Sequence, residues 1–161
     1  MKRLLAITLL SYLFFLIEFI LHNLFGKWGT PNLLLILVIF FDLYLGIRYS
    51  LWAAFVSGFW KDAFSLEPLG AHILAYMTCA YLTIFMRKNF YQPGSQWSRA
   101  FVVFVNAIAY VMVMTIVNLM DQTVNFKETF LYVLLPEVIT TTAVVTFVFR
   151  RLKNLAVMAE L

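Results

Sequence analysis

Residues 31–81 read PNLLLILVIFFDLYLGIRYSLWAAFVSGFWKDAFSLEPLGAHILAYMTCAY, and this stretch decides the fold. It holds three apolar runs separated only by Arg48-Tyr49-Ser50 and by Glu67-Pro68-Leu69-Gly70. Each run is long enough to be a helix, and the links are too short to host anything else. The whole chain continues the pattern: 161 residues, 63% hydrophobic and 12% charged, with mean hydropathy +0.89. So much apolar surface cannot be hidden inside a soluble fold of this size, and the composition places the chain in a bilayer.

A membrane-crossing helix needs about 20 apolar residues, within a range of about 17–25. Working outward from 31–81, the apolar runs predict six transmembrane helices over about 4–25, 32–47, 51–66, 70–86, 99–120 and 129–149. This is an all-α polytopic membrane protein, a single integral domain over residues 1–161 with no room for a soluble one. Helices 2 and 3 are near the lower limit for crossing and are also compatible with a re-entrant pair. Pro31 suits the first turn of helix 2, and Arg48-Tyr49-Ser50 reads as a tight turn into helix 3. The N-terminal Met1-Lys2-Arg3 followed by apolar sequence resembles a signal peptide. The apolar stretch is too long for one and lacks a small-x-small cleavage site, so it is read as a retained first helix.

Charge sets the orientation. Of the 12 Lys and Arg residues, Lys2, Arg3, Arg48, Arg87, Lys88, Arg99, Arg150, Arg151 and Lys153 fall on one side of a six-helix zigzag. Lys27 and Lys127 fall on the other, with Lys61 near it inside helix 3. Basic loops stay cytoplasmic, so both termini are expected in the cytoplasm of an inner-membrane protein. The net charge of +4 is explained by these helix ends and by lipid headgroups, not by nucleic-acid binding. Tyr49, Trp52, Tyr91 and Trp97 suit an inner aromatic belt, and Trp28, Trp60 and Tyr132 an outer one. The lone Cys79 cannot form an intrachain disulfide and reads as a packing residue.

Small residues recur every four positions at Ser50, Ala54, Gly58 and Asp62, and again at Ala71, Ala75, Cys79 and Thr83. That spacing puts each set on one helix face. Small faces let helices approach closely where no hydrophobic drive brings them together, so helices 3 and 4 are expected to pack through them. Asn106, Tyr110, Met114 and Asn118 form a further stripe, expected to hydrogen-bond between helices. Five ionisable groups lie within apolar runs: Glu18, Asp42, Lys61, Asp62 and Glu137. A charge at mid-bilayer costs about 2.5–3.5 kcal/mol, so these must face the interior or a partner. All but Asp42 fall in the outer half. There Lys61 is expected to pair with Glu18 or Glu137, and Pro136 to kink helix 6.

Catalytic signatures are absent: no Gly-x-Ser-x-Gly elbow, His-Glu-x-x-His, cysteine pair or P-loop. No catalytic, cofactor-binding or metal residue is assigned. Glu18 and His22 stand one turn apart and read as an acid–imidazole pair rather than a metal site.

The stretch 31–81 resembles the rod shape-determining membrane protein MreD family. The matching features are Pro31 opening an apolar helix, the basic turn at Arg48, Gly58 to Asp62 as Gly-x-x-x-Asp, and Leu69-Gly70 in a short outer loop. The Asn125-Phe126-Lys127 outer loop, the basic C-terminus and the chain length also fit. Ala54 stands where many relatives carry a further Gly, and Lys61 where an apolar residue is usual. The resemblance implies a helix layout similar to the substrate-binding subunits of energy-coupling-factor transporters. It also implies a non-enzymatic scaffold of the bacterial elongation machinery, without cofactor. Such a scaffold binds MreC and helps couple cytoplasmic MreB to the peptidoglycan synthases, RodA and its penicillin-binding transpeptidase, within membrane lipids. Pro31, Ala54, Gly58, Asp62 and Gly70, with Glu18, Lys61 and Glu137, become structural or partner candidates, and a homodimer is compatible with the sequence.

Two other readings compete. A solute-binding transport subunit suits an outer-half polar cluster, but such subunits typically carry Ala-x-x-x-Ala on the first helix, and here Ala6 is followed by Leu10. A membrane enzyme acting on a lipid-linked substrate needs an acid–base pair facing an open cavity.

Overall fold

The computed structural model describes residues 2–25, 30–65, 68–92, 95–120 and 135–158. Among these every regular element is helical: α1 (Lys2–Phe25), α2 (Leu33–Leu45), α3 (Ile47–Phe64), α4 (Ala71–Asn89), α5 (Gln96–Met120) and α6 (Leu135–Met158). Trp28, Lys127 and Tyr132, expected on the outer side, lie outside the described residues.

Several boundaries differ from those read from the sequence, each for a local reason. Helix α2 begins at Leu33 rather than in Pro31, because Asn32 is the better N-cap: its side chain accepts from the Leu35 amide. Pro31 therefore precedes the cap. Arg48-Tyr49-Ser50 is not a turn but the first turn of α3. The break is Gly46 alone, at φ +93°, a conformation that costs a side-chain-bearing residue about 1–2 kcal/mol. Helix α5 starts at Gln96, just after Ser95, whose hydroxyl accepts the Ser98 amide as an N-cap does. At the other end of the chain, α6 runs on through Arg150 and Arg151 to Met158, since solvated basic side chains favour helix.

The shortest helix lies at the centre. Residues Leu33 through Asp42 of α2 are all buried, so over these residues no face of the helix reaches the exterior, and only its last turn, at Tyr44, is exposed. A helix apolar all round has to be enclosed, and α1, α3, α4, α5 and α6 all pack against α2. The most extensive helix pairing is α3 with α4, followed by α2 with α3 and α4 with α5. The outside is apolar as well: Leu5, Leu9, Leu24, Phe64, Tyr81, Met112, Ile116 and Phe147 are all exposed. Soluble monomers rarely present an apolar surface of this extent, whereas lipid tails accept it. Among the described residues two helices, Arg3–Leu24 and Gln96–Met120, are long and apolar enough to cross a bilayer by themselves.

Helix α2 has 13 residues, a length of about 20 Å. The hydrocarbon layer is about 30 Å thick. Helix α2 is therefore shorter than that layer, and its first residues are buried inside the protein.

Candidate functional site

The first amides of any helix lack intrahelical acceptors, and those of α2 are buried. Each has a partner. Asn32 N–H donates to Thr141 Oγ1 at 2.9 Å, Leu33 N–H to the Pro31 carbonyl at 2.9 Å, Leu34 N–H to Glu18 Oε2 at 3.1 Å, and Leu35 N–H to Asn32 Oδ1 at 3.0 Å. Glu18 is thus held by the positive end of α2, a favourable place for a carboxylate.

Its other oxygen, Oε1, accepts from Lys61 Nζ at 2.7 Å. Lys61 also donates to the Tyr76 hydroxyl at 3.3 Å. Tyr76 in turn donates to Asn32 Oδ1 at 2.9 Å, and Asn32 Nδ2 donates to Glu137 Oε1 at 2.9 Å. A directional chain of hydrogen bonds therefore joins Glu18 to Glu137 through Lys61, Tyr76 and Asn32. The Lys61 ammonium also lies 5.9 Å and 5.5 Å from the ring centroids of Tyr76 and Tyr110, which stack at 5.2 Å, so the rings add cation–π attraction. Glu18, Asn32, Lys61, Tyr76, Tyr110 and Glu137 come from α1, the α2 cap, α3, α4, α5 and α6. All six helices meet in one cluster.

The second constellation is the α3–α4 hairpin. Asp62, near the end of α3, caps α4: its carboxylate accepts the Gly70 amide at 3.0 Å, the His72 amide at 3.0 Å and the Ile73 amide at 3.4 Å. His72 Nδ1 lies 2.8 Å from Asp62 Oδ1. Gly70 sits at φ +95° in the left-handed region, which lets the chain enter α4 at this angle. One turn before Asp62, Gly58 meets the backbone of Ile73 with no room for a side chain. Ala54 is fully buried one turn earlier. The two small-residue stripes are buried throughout but serve more than one neighbour. Ser50 Oγ donates to the Val38 carbonyl of α2, and Cys79 Sγ donates to the Asn106 carbonyl of α5.

Other expected pairings are replaced. Glu18 turns to Lys61 and α2, and His22 is exposed, so the two do not form a buried pair. The Asn106 amide donates to Val102 within its own helix, and on the same stripe Tyr110 stacks on Tyr76 of α4. Trp60 packs on Tyr12 and Phe15 of α1, with ring centroids 5.0 Å and 6.3 Å away. Asp42 is fully buried. Its backbone carbonyl accepts from Arg87 at 2.8 Å, while neither carboxylate oxygen has a hydrogen-bond partner among the described residues. Among the described residues no three His, Cys, Asp or Glu side chains gather to hold a metal ion.

Sequence reasoning missed the neutral connectors Asn32, Tyr76 and Thr141. A cap signal was present in Asn32 before an apolar run, and Tyr76 lies one turn beyond His72.

No curated protein and no solved structure matches the chain. A family profile, described as rod shape-determining protein MreD, matches residues 1–155. With that match over nearly its full length, and with its apolar exterior around a buried polar centre, the chain is a membrane protein and belongs to the MreD family of rod shape-determining proteins.

Proposed function

We propose that this protein is a six-crossing inner-membrane scaffold of the cell-elongation machinery, with both termini cytoplasmic. In this role it binds MreC and helps couple cytoplasmic MreB to RodA and its penicillin-binding transpeptidase. It works without catalysis or cofactor, through its outer helix surfaces. The observation that carries this reading is the closure of the polar centre. The side chains best suited to chemistry are hydrogen-bonded to one another and to the amides of α2, where they join six helices into one body. Asp62 serves α4 in the same way. An interior organised for cohesion leaves the exterior as the working surface.

The same closure disfavours a solute-binding subunit. Lys61 and Tyr76 fill the space between Glu18 and Asn32 that a ligand would need.

Purification from native membranes, with identification of the bound proteins, tests this reading. Stoichiometric recovery of MreC is the expected result, and an abundant, folded protein recovered repeatedly without MreC overturns it. Accessibility labelling of single cysteines at the two termini, in a Cys79→Ala background, tests the topology, with both expected to react only from the cytoplasmic side.

A further inference from the structure

A groove of about 450 Å3 runs between α5 and α6 on the outside of the bundle. Its walls include Trp97, Ala100 and Phe104 from α5 and Ile139, Ala143 and Thr146 from α6. They are mainly apolar, and the Thr142 hydroxyl in the groove is turned back onto the Val138 carbonyl. The small side chains of Ala100 and Ala143 make the depression, while exposed Trp97 stands at one end.

Two observations decide what fits. The first is length. On α6 the residues Ile139, Ala143, Thr146 and Arg150 share one face, at steps of four, three and four residues. The 11 steps from Ile139 to Arg150 rise about 16 Å. That is one leaflet of a hydrocarbon layer about 30 Å thick. A membrane-crossing partner helix would need a seat along the full thickness, whereas a single acyl chain needs one leaflet. The second is charge. Arg150 continues the groove stripe at its Trp97 end and is exposed. Arg151 lies beside it, with its guanidinium 5.4 Å from the Phe147 ring centroid. Arg99 of α5 instead lies 5.9 Å from the ring centroid of Phe149, which packs on Phe40 of α2, and so stands apart from the groove. An apolar channel whose stripe continues into the exposed guanidinium of Arg150, with an indole at the same end, matches an amphiphile with an apolar tail and an anionic head.

We propose that the α5–α6 groove is a binding site for an anionic glycerophospholipid. One acyl chain lies along Ala100, Ala143 and Thr146, and the headgroup phosphate rests at Arg150. The site rests on the membrane placement of α5 and α6 given under Proposed function, but not on any protein partner.

The test uses the full-length protein in vesicles of equal parts phosphatidylcholine and phosphatidylglycerol. A small aliphatic diazirine amino acid, photoreactive without an aromatic bulk, replaces Ala143, or, as a lipid-facing reference, Ile116, which is exposed on α5. Adduct masses are read after illumination. Position 143 should capture phosphatidylglycerol over phosphatidylcholine by about fivefold, the effect of one basic residue near an anionic headgroup. Position 116 should capture both equally. Arg150→Gln, at an exposed position, should bring position 143 close to parity. Equal capture at 143 in the unsubstituted Arg150 background overturns the site, as does cross-linking of 143 to a second copy of the chain. Absence of lipid adducts at both positions overturns the membrane placement itself, which separates the two failures.

Discussion

A Cβ added to Gly58 would stand 2.5 Å from the Cα of Ile73, so α3 and α4 touch backbone to backbone at this point. Neither atom belongs to a flexible side chain, and neither helix can yield without moving as a whole. Gly58→Ala should therefore destabilise the protein by about 1–3 kcal/mol, the usual cost of overpacking, and Gly58→Leu by more. Thermal unfolding in detergent and abundance in the membrane read this directly. A wild-type midpoint for Gly58→Leu would show that the contact is not rigid.

Asp62 offers a graded test of the α4 cap. Asp62→Ala removes the acceptors of the Gly70, His72 and Ile73 amides, and loss of an N-cap costs about 0.5–2 kcal/mol. Asp62→Asn keeps one carbonyl acceptor and should fall between wild type and Asp62→Ala. Hydrogen exchange at the first amides of α4 should rise in the same order. Unchanged protection in Asp62→Ala would contradict the capping role.

The Glu18–Lys61 pair should behave as one unit. Removal of one partner strands the other charge in a low-dielectric site, at a cost of about 3–5 kcal/mol. Glu18→Gln and Lys61→Met should each lower stability strongly, and the double variant should lose less than the sum, with a coupling of about 0.5–3 kcal/mol. Simple additivity would mean that the 2.7 Å contact carries no net energy.

Tyr76→Phe probes the neutral bridge. Loss of the hydroxyl leaves Asn32 Oδ1 with the Leu35 amide and Lys61 with Glu18. A hydrogen bond lost while both partners keep another costs about 0.5–1.5 kcal/mol. Helix α2 should loosen at its N-terminus, seen as faster amide exchange at Leu34 and Leu35. The C-terminal half of α2 should be unaffected.

Asp42 should respond in the opposite direction. Its carboxylate is buried without a hydrogen-bond partner among the described residues, so the folded state carries its desolvation cost with only the charge of nearby Arg87 in return. Asp42→Asn should be neutral or stabilising in a thermal melt. If the same variant loses cell-shape function while folded and abundant, the acid is retained for activity at the expense of stability.

Much of this architecture was legible because it is written in local periodicity. Apolar run lengths give the helices, and four-residue spacing finds Gly58 and Asp62 on one face. The basic residues sit at helix ends that local composition marks. What was not legible depends on how helices rotate against one another. Glu18 has two oxygens and could face His22 on its own helix or Lys61 on another, and packing decides in favour of Lys61. Asn32 and Tyr76 are neutral, so they carry no composition signal in an apolar chain, yet they connect the charged residues. The turn before α3 was misplaced because Arg48-Tyr49-Ser50 is the polar triplet, whereas the chain bends where a positive φ is cheapest, at Gly46.

The enclosure of α2 has a consequence for genetics. Residues 33–42 present nothing to the surroundings, so no neighbouring molecule can read their identity directly. Second-site suppressors selected against a defective partner should thus collect on the exposed faces of α1, α3, α4, α5 and α6 and leave this axial segment blank. Any hit within it would report a shift of the five helices wound about it.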